Sequence, residues 1–364
     1  MLEWLTPIDY APRQSDYIGR RGPETGQWFL DSSEFKAWHR LRAETLFCLG
    51  IPGAGKTILS SIANNYLLQE YDKDPTTGLA YIYFDFRRGG EQKIDNLLLS
   101  LLKQLAQTRP RCSPDAVEAL YFNHRKKRTR PLLDEIREAL RSVAALYTRV
   151  FFIIDALDEC KTDGDCRGRI LEELLSIQSE CGANILVTSR PIPDNADEFK
   201  ECKKLEIRAH DEDIQKYLNS RMRELPPFVA KNSDLGEEIK NRIRESVDGM
   251  FLLAQLYLNS LIGKKSCKAV RKALSQLSAG PGSYDRAYND TMERILGQQT
   301  DCAELAKQAL TWIVCSKRPL NTSEILHALA VELDDTEFDE ENIPTLNSSL
   351  PFAVGSSLSK KKAA

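Results

Sequence analysis

The stretch Thr45-Leu-Phe-Cys-Leu-Gly50-Ile-Pro-Gly-Ala-Gly-Lys-Thr57 decides the fold. From Gly50 onward it fits GxxxxGK[ST], led in by an apolar strand, Leu46–Leu49, and led out by an amphipathic helix from Ile58 to about Tyr71. In that setting the glycines let the backbone wrap so closely that its N–H groups face phosphate oxygens, and the positive end of the helix dipole adds to them. Gly50, Pro52, Gly53, Ala54, Gly55, Lys56 and Thr57 therefore form a candidate nucleotide-binding set. Lys56 is expected to reach the β- and γ-phosphates, and the Thr57 hydroxyl to ligate Mg²⁺.

Two further runs belong with the first. Val150-Phe-Phe-Ile-Ile-Asp155-Ala-Leu-Asp158-Glu159 is a hydrophobic strand ending in an acid, with two more acids just past its end. Ligands of open parallel sheets sit at the carboxyl ends of the strands, so Asp155 is expected beside the phosphates as a holder of Mg²⁺. Asp158 and Glu159 are candidates to orient or deprotonate an attacking water. Ile185-Leu-Val-Thr-Ser-Arg190-Pro is a buried strand ending in polar groups and one cation. Arg190 either senses a γ-phosphate or pairs with a surface acid.

Outward from these runs, the pattern is one of alternation. Strand-like runs recur at Thr45–Leu49, Leu79–Phe86, Arg149–Ile154, Asn184–Thr188 and Lys204–Ile207. Helical faces lie between them: Leu97, Leu98, Leu101, Leu102 and Leu105; Leu132, Leu133, Ile136, Leu140 and Val143; Ile170, Leu171, Leu174 and Leu175. Such alternation implies an α/β fold with a parallel sheet covered on both faces. Residues 1–42 read as a turn-rich lead-in with aromatic anchors, ending in a helix near Ser33–Arg42 capped by Asp31 or Ser32. The core is expected over 43–209, an all-helical region over 210–298, a further helical region over 299–344, and an unfolded tail over 345–364.

The chain's 364 residues suffice for two or three domains. With Lys plus Arg at 50 and Asp plus Glu at 53, the net charge of −3 gives no bulk attraction to nucleic acid or to acidic membranes, and either partner would need a local patch. Nine cysteines without a CxxC pair read as reduced thiols, and no leader or spanning segment is evident, so a cytoplasmic protein without a membrane or nucleic-acid partner is expected.

The succession GIPGAGKT, FFIIDALDEC, ILVTSRP, GMFLLA and a helical RPL–EILHALAVE segment resembles the NACHT-type signal-transduction NTPases of fungi, the heterokaryon-incompatibility group, whose module also appears as the nephrocystin-type N-terminal NTPase. The resemblance runs from about Trp4 to about Pro344. It implies a P-loop fold of the additional-strand class, with the Ile185–Thr188 strand between the Gly-loop strand and the Asp155 strand, then a helical domain and a partial winged helix. It also implies ATP/ADP and Mg²⁺ as cofactors, slow hydrolysis, self-association through the NTPase module, and relatives that carry effector domains. On the resemblance, Gly249 matches the glycine of a Gly-x-Pro element, with Phe251 standing where proline is usual; a helix cap or turn is the alternative. Against the family's usual flanking effector and repeat segments, the chain reads as the middle of a longer design. His327 lies on an apolar helical segment and reads as a packed residue.

The basic run His124-Arg-Lys-Lys-Arg-Thr-Arg130 reads as a solvated loop, with an address signal or phosphate-binding strip as the alternative. Competing functions are a P-loop ATPase that remodels nucleic acid and a nucleotide-binding scaffold without effector output. No residue set distinguishes adenine from guanine.

Overall fold

In the computed structural model the described residues are 1–88, 92–108, 115–160, 166–191, 202–277, 300–318, 320–331 and 339–344, with isolated positions between 285 and 296. The expected tail, 345–364, lies outside them.

Five runs form five parallel strands: β1 (Thr45–Gly50), β2 (Thr77–Tyr83), β3 (Arg149–Asp155), β4 (Asn184–Ser189) and the more polar β5 (Lys203–Ile207). Their order is β2-β3-β4-β1-β5. Strand β4 lies between β1 and β3, with Leu186 opposite Leu46 on one side and Ile153 on the other. The chain is thus an α/β P-loop fold with an added central strand. Phe151, Phe152, Ile153, Ile154, Leu186 and Val187 are buried, as strands covered on both faces require. The second run stops being a strand at Tyr83; Phe86 sits in a single helical turn and is exposed.

Before the sheet come α1 (Leu2–Leu5), α2 (Ala11–Gly19), α3 (Gln27–Asp31) and α4 (Ser33–Arg40). Ser32 caps α4, its hydroxyl accepting the Phe35 N–H at 3.2 Å. Trp38 of α4 is fully buried and donates its indole N–H to the Ile185 carbonyl at 3.0 Å, which fastens the lead-in to β4. Trp38→Ala is expected to lower stability by about 3–5 kcal/mol, the usual cost of emptying a large aromatic site. Denaturant unfolding measures this, and a loss below about 1 kcal/mol would contradict the docking.

Between the strands run α5 (Lys56–Glu70), α6 (Ile94–Gln107), α7 (Asp115–Arg125), α8 (Leu133–Ala144) and α9 (Cys166–Cys181). In α6 Leu97, Leu98, Leu101, Leu102 and Leu105 are buried, as their spacing predicts. Leu132 departs from the pattern: it stands just before α8 and is exposed, whereas Ile136, Leu140 and Val143 are buried.

After β5 the chain is helical: α10 (Asp211–Arg221), α11 (Pro227–Ala230), α12 (Ser233–Ser246), α13 (Phe251–Leu261) and α14 (Cys267–Ser275). Leu218, Leu235, Ile239, Ile243, Leu253 and Leu258 are buried there, apart from the core that surrounds the sheet.

The chain divides into two compact units, Met1–Ala279 and Gly280–Ala364. The second holds helices Thr300–Cys315 and Thr322–Leu329, the latter opened by a capping box in which Asn321 accepts the Glu324 N–H at 2.9 Å and Glu324 accepts the Asn321 N–H at 2.8 Å. His327 is exposed, with Nδ1 2.7 Å from the Ser323 carbonyl one turn back; the apolar face of that helix turns Ile325 inward instead. No described helix is long and apolar enough to cross a membrane.

Candidate functional site

Strand β1 ends at Gly50, where an added Cβ would stand 2.6 Å from the Ile207 carbonyl oxygen of β5, so only glycine lets the chain leave the sheet here. The loop then turns through Gly53 at φ +73° and reaches α5, whose first residue is Lys56. The positive end of the α5 dipole therefore underlies the loop. Lys56 Nζ donates to the carbonyls of Gly50 at 2.7 Å and Ile51 at 3.1 Å, drawing the loop's two limbs together. Burial lowers the pKa of Lys56, and the nearby carboxylates of Asp158 and Asp155 oppose that shift.

Asp155 terminates β3 and is 1% exposed. Its Oδ1 accepts two hydroxyls, Ser60 of α5 at 2.8 Å and Thr188 of β4 at 2.7 Å, and the Thr57 hydroxyl also bonds the carboxylate. Burial raises its pKa, and the hydroxyls and Lys56 counter that. Thr188 does double duty: its Oγ1 also accepts the Ala156 N–H at 2.9 Å, where the chain turns through a left-handed φ of +55°. A side chain on β4 thus fixes both the Asp155 carboxylate and the bend that delivers the next two acids.

Those acids lie on the single turn Leu157–Glu159. Arg190 grips Asp158 twice, Nε to Oδ2 at 2.9 Å and backbone N–H to Oδ1 at 3.0 Å, and its Nη2 lies 3.5 Å from Glu159 Oε1. Glu159 Oε2 accepts the Phe86 N–H at 3.3 Å from the helical turn that follows β2. Burial pushes the Glu159 pKa up, with Asp158 and Asp85 adding, while the Phe86 N–H and Arg190 pull it down. Of the two options for Arg190, the partners here are the site's own acids rather than an unrelated surface carboxylate. Both acids have both oxygens in contact, but those of Glu159 are longer, 3.3 and 3.5 Å, and its side chain is 26% exposed against 5% for Asp158, so Glu159 is the freer of the two to face a water.

Beside the phosphate loop is a slot that sequence reasoning missed. It is lined by Gly26 and Trp28 of the lead-in, Ala54 and Ile58 of the loop and α5, and His210, Asp213 and Phe251 from the helical region. Asp213 Oδ2 accepts the Gly26 N–H at 2.8 Å and the Trp28 indole N–H at 3.0 Å, and the Trp28 ring stacks on His210 with centroids 5.5 Å apart. The Leu252 N–H at the start of α13 donates to the Gly53 carbonyl at 3.0 Å, so the helical region bonds directly to the phosphate loop. Gly249 takes a left-handed φ of +77°, a turn whose carbonyl accepts the Ala209 N–H at 2.8 Å. It is Phe251, two residues on, that lines the slot. Trp28 was visible as an aromatic anchor, but nothing local marks Asp213.

The donors around Asp155 suit Mg²⁺: one hydroxyl and one carboxylate, both hard oxygen ligands, leave most positions to water and phosphate oxygens, as this ion prefers. Among the described residues no cluster of three or more His, Cys, Asp or Glu side chains could hold a metal unaided.

Residues 24–190 match the family described as "Nephrocystin 3, N-terminal", and residues 292–357 match "GPI inositol-deacylase, winged helix domain". Among curated proteins the chain is similar to vegetative incompatibility protein HET-E-1 of Podospora anserina, 27% identical over 337 residues. That match covers 87% of this chain and 23% of the relative, so the chain spans under a quarter of its length. Among solved structures, the Aeropyrum pernix Orc1 protein in complex with DNA is 13% identical with a TM-score of 0.44, covering 88% of this chain and 82% of that one. AMPPCP-bound DnaA from Aquifex aeolicus is 15% identical with a TM-score of 0.39, covering 86% of each chain. With its phosphate loop, its central added strand and the 24–190 match, the chain is similar to the NACHT-type P-loop NTPases.

Proposed function

We propose that the chain binds ATP or GTP with Mg²⁺ at the loop Gly50–Thr57, hydrolyses it slowly, and uses the exchange of diphosphate for triphosphate as a signalling switch. One observation carries the reading: Lys56, Asp155, Glu159 and Arg190 converge at the phosphate loop while an apolar slot opens on the loop's other flank. The slot has the lining a nucleobase requires, and the loop amides suit phosphates.

The division of labour follows from the contacts. Lys56 exchanges its bonds to the Gly50 and Ile51 carbonyls for phosphate oxygens. Thr57 and Asp155 hold the cation, which when bound neutralises charge on the β- and γ-phosphates. Glu159 orients or deprotonates the water, and Arg190, swung from the acids, steadies the charge that develops on the γ-phosphate. Self-association accompanies the triphosphate state, and effector output belongs to partner segments or relatives. Sedimentation of the full chain with ADP and with a non-hydrolysable ATP analogue tests the switch. A larger species only with the analogue is expected, and identical distributions would contradict it.

Thr188 supplies a finer check. Thr188→Val keeps the shape and removes the hydroxyl, freeing Asp155 and the Ala156 turn. The expected result is a roughly tenfold loss of the Mg²⁺-dependent part of nucleotide affinity, with Mg²⁺-free affinity little changed and Thr188→Ser close to wild type. Titrations with and without chelator read this.

The base slot offers another. Asp213→Ala releases the Gly26 and Trp28 donors and is expected to weaken nucleotide binding about tenfold through the slot, with hydrolysis per bound nucleotide kept. A fluorescent-nucleotide titration with single-turnover hydrolysis separates the two quantities.

A further inference from the structure

The end of α7 and the connector to α8 carry Arg125, whose guanidinium lies over the Tyr121 ring, and Lys126, Lys127, Arg128 and Arg130, all exposed, and none of the five makes an ion pair with a described carboxylate. The nearest acids are otherwise engaged. Asp134 pairs with Arg137 at 2.9 Å, and Glu135 accepts the Leu132 N–H at 2.6 Å while lying 3.2 Å from His124 Nε2.

The connector is also held in shape. His124 Nδ1 meets the Thr129 hydroxyl at 2.8 Å, the Thr129 N–H reaches back to the His124 carbonyl at 3.2 Å, and Arg128 takes a left-handed φ of +53°. These bonds tie the loop to the ends of both helices, so the cations stand on a fixed base. Two large apolar side chains flank them in the open: Phe122 at 62% and Leu132 at 71% exposure.

We infer that this connector is a docking platform for an anionic lipid surface. Cations next to protruding apolar groups match the two layers such a surface presents, charged headgroups above and hydrocarbon beneath. A nucleic acid would use the charges but gain nothing from an aliphatic Leu132 standing in water. The chain's net charge of −3 does not oppose this, because charge acts at the surface over about 8 Å at physiological salt. The NTPase would then meet a membrane at its surface, with no spanning helix needed.

The test is co-sedimentation of the full chain with vesicles of phosphatidylcholine alone and with about a third phosphatidylserine. Binding only to the anionic vesicles, falling with salt, is expected. Charge reversal of Lys126, Lys127 and Arg128 should weaken it on the order of 100-fold, and Phe122→Ser with Leu132→Ser on the order of tenfold. Both variants should keep wild-type nucleotide affinity, which certifies their folding; the reading of the phosphate loop does not depend on the outcome. Equal binding to both vesicle types, or anionic binding unmoved by charge reversal, would overturn the inference. So would tighter binding to duplex DNA or single-stranded RNA that ignores Phe122 and Leu132.

Discussion

Lys56→Ala is expected to leave the chain folded and unable to bind nucleotide. The side chain is half-buried, its pKa already lowered by burial, and its ammonium donates to the loop's own Gly50 and Ile51 carbonyls, so it is held where phosphates would sit at little reorganisation cost. Removing it takes away a charge-assisted contact to each of two phosphates and unties the Gly50 and Ile51 carbonyls. At about 1.5–3 kcal/mol per bond to a charged group, affinity should fall by at least about 100-fold. Calorimetric titration with ATP and GTP measures it, with circular dichroism as the check on folding. Unchanged affinity in a folded variant would remove Lys56 from the site.

Glu159→Gln is expected to bind ATP normally and to lose hydrolysis by about 10²–10⁴-fold, the usual range for a general base. The glutamine keeps its contact with the Phe86 N–H, so geometry is retained while proton acceptance is lost. Asp158 is a poor substitute because Arg190 occupies both of its oxygens. Wild-type hydrolysis should also carry a pH signature. A base works deprotonated, and burial raises the Glu159 pKa, so activity should fall as pH drops through a value above the ordinary glutamate range. Single-turnover rates across pH test this. Normal turnover in Glu159→Gln would move the base role elsewhere.

Much of this arrangement was legible in the sequence, for a physical reason. Four of the five strands are short, largely buried runs, and burial on both faces leaves continuous apolar stretches that stand out against polar turns; the edge strand β5, with Lys204 and Glu206 exposed, is the exception. The phosphate loop is legible because its glycines are demanded by backbone geometry, as the 2.6 Å approach at Gly50 shows. The lead-in was harder to read. Pro12, Gly19, Gly22, Pro23 and Gly26 punctuate it so heavily that the short helices α2 and α3 leave no periodicity, though α2 packs on α5 through Gln14, whose amide donates to the Ser61 carbonyl at 2.9 Å.

The slot beside the phosphate loop was invisible for a different reason. Asp213 and Gly26 are bonded across 187 residues, and no local pattern announces such a partnership. The Arg190 contacts were half legible: the strand end predicted its place, but only folding shows that Asp158 and Glu159 are what it holds. Leu132 shows the opposite error, where periodicity continued one residue past the point at which α8 begins and so assigned to the core a side chain that stands in water.

Under the proposed function, Arg190 would also give the switch its logic. Its guanidinium lies against Asp158 and Glu159, the acids proposed to serve hydrolysis. On that proposal a triphosphate would compete for the cation and free Glu159 in the same motion, and the Leu252–Gly53 hydrogen bond would link the helical region to the loop.

The most direct measurement is calorimetric titration of the wild-type chain with ATP, GTP and ADP, with Mg²⁺ and with chelator. The account predicts one nucleotide per chain, bound more tightly with Mg²⁺ and released in Lys56→Ala. Absence of binding by the folded chain, or binding indifferent to both Mg²⁺ and Lys56, would contradict it.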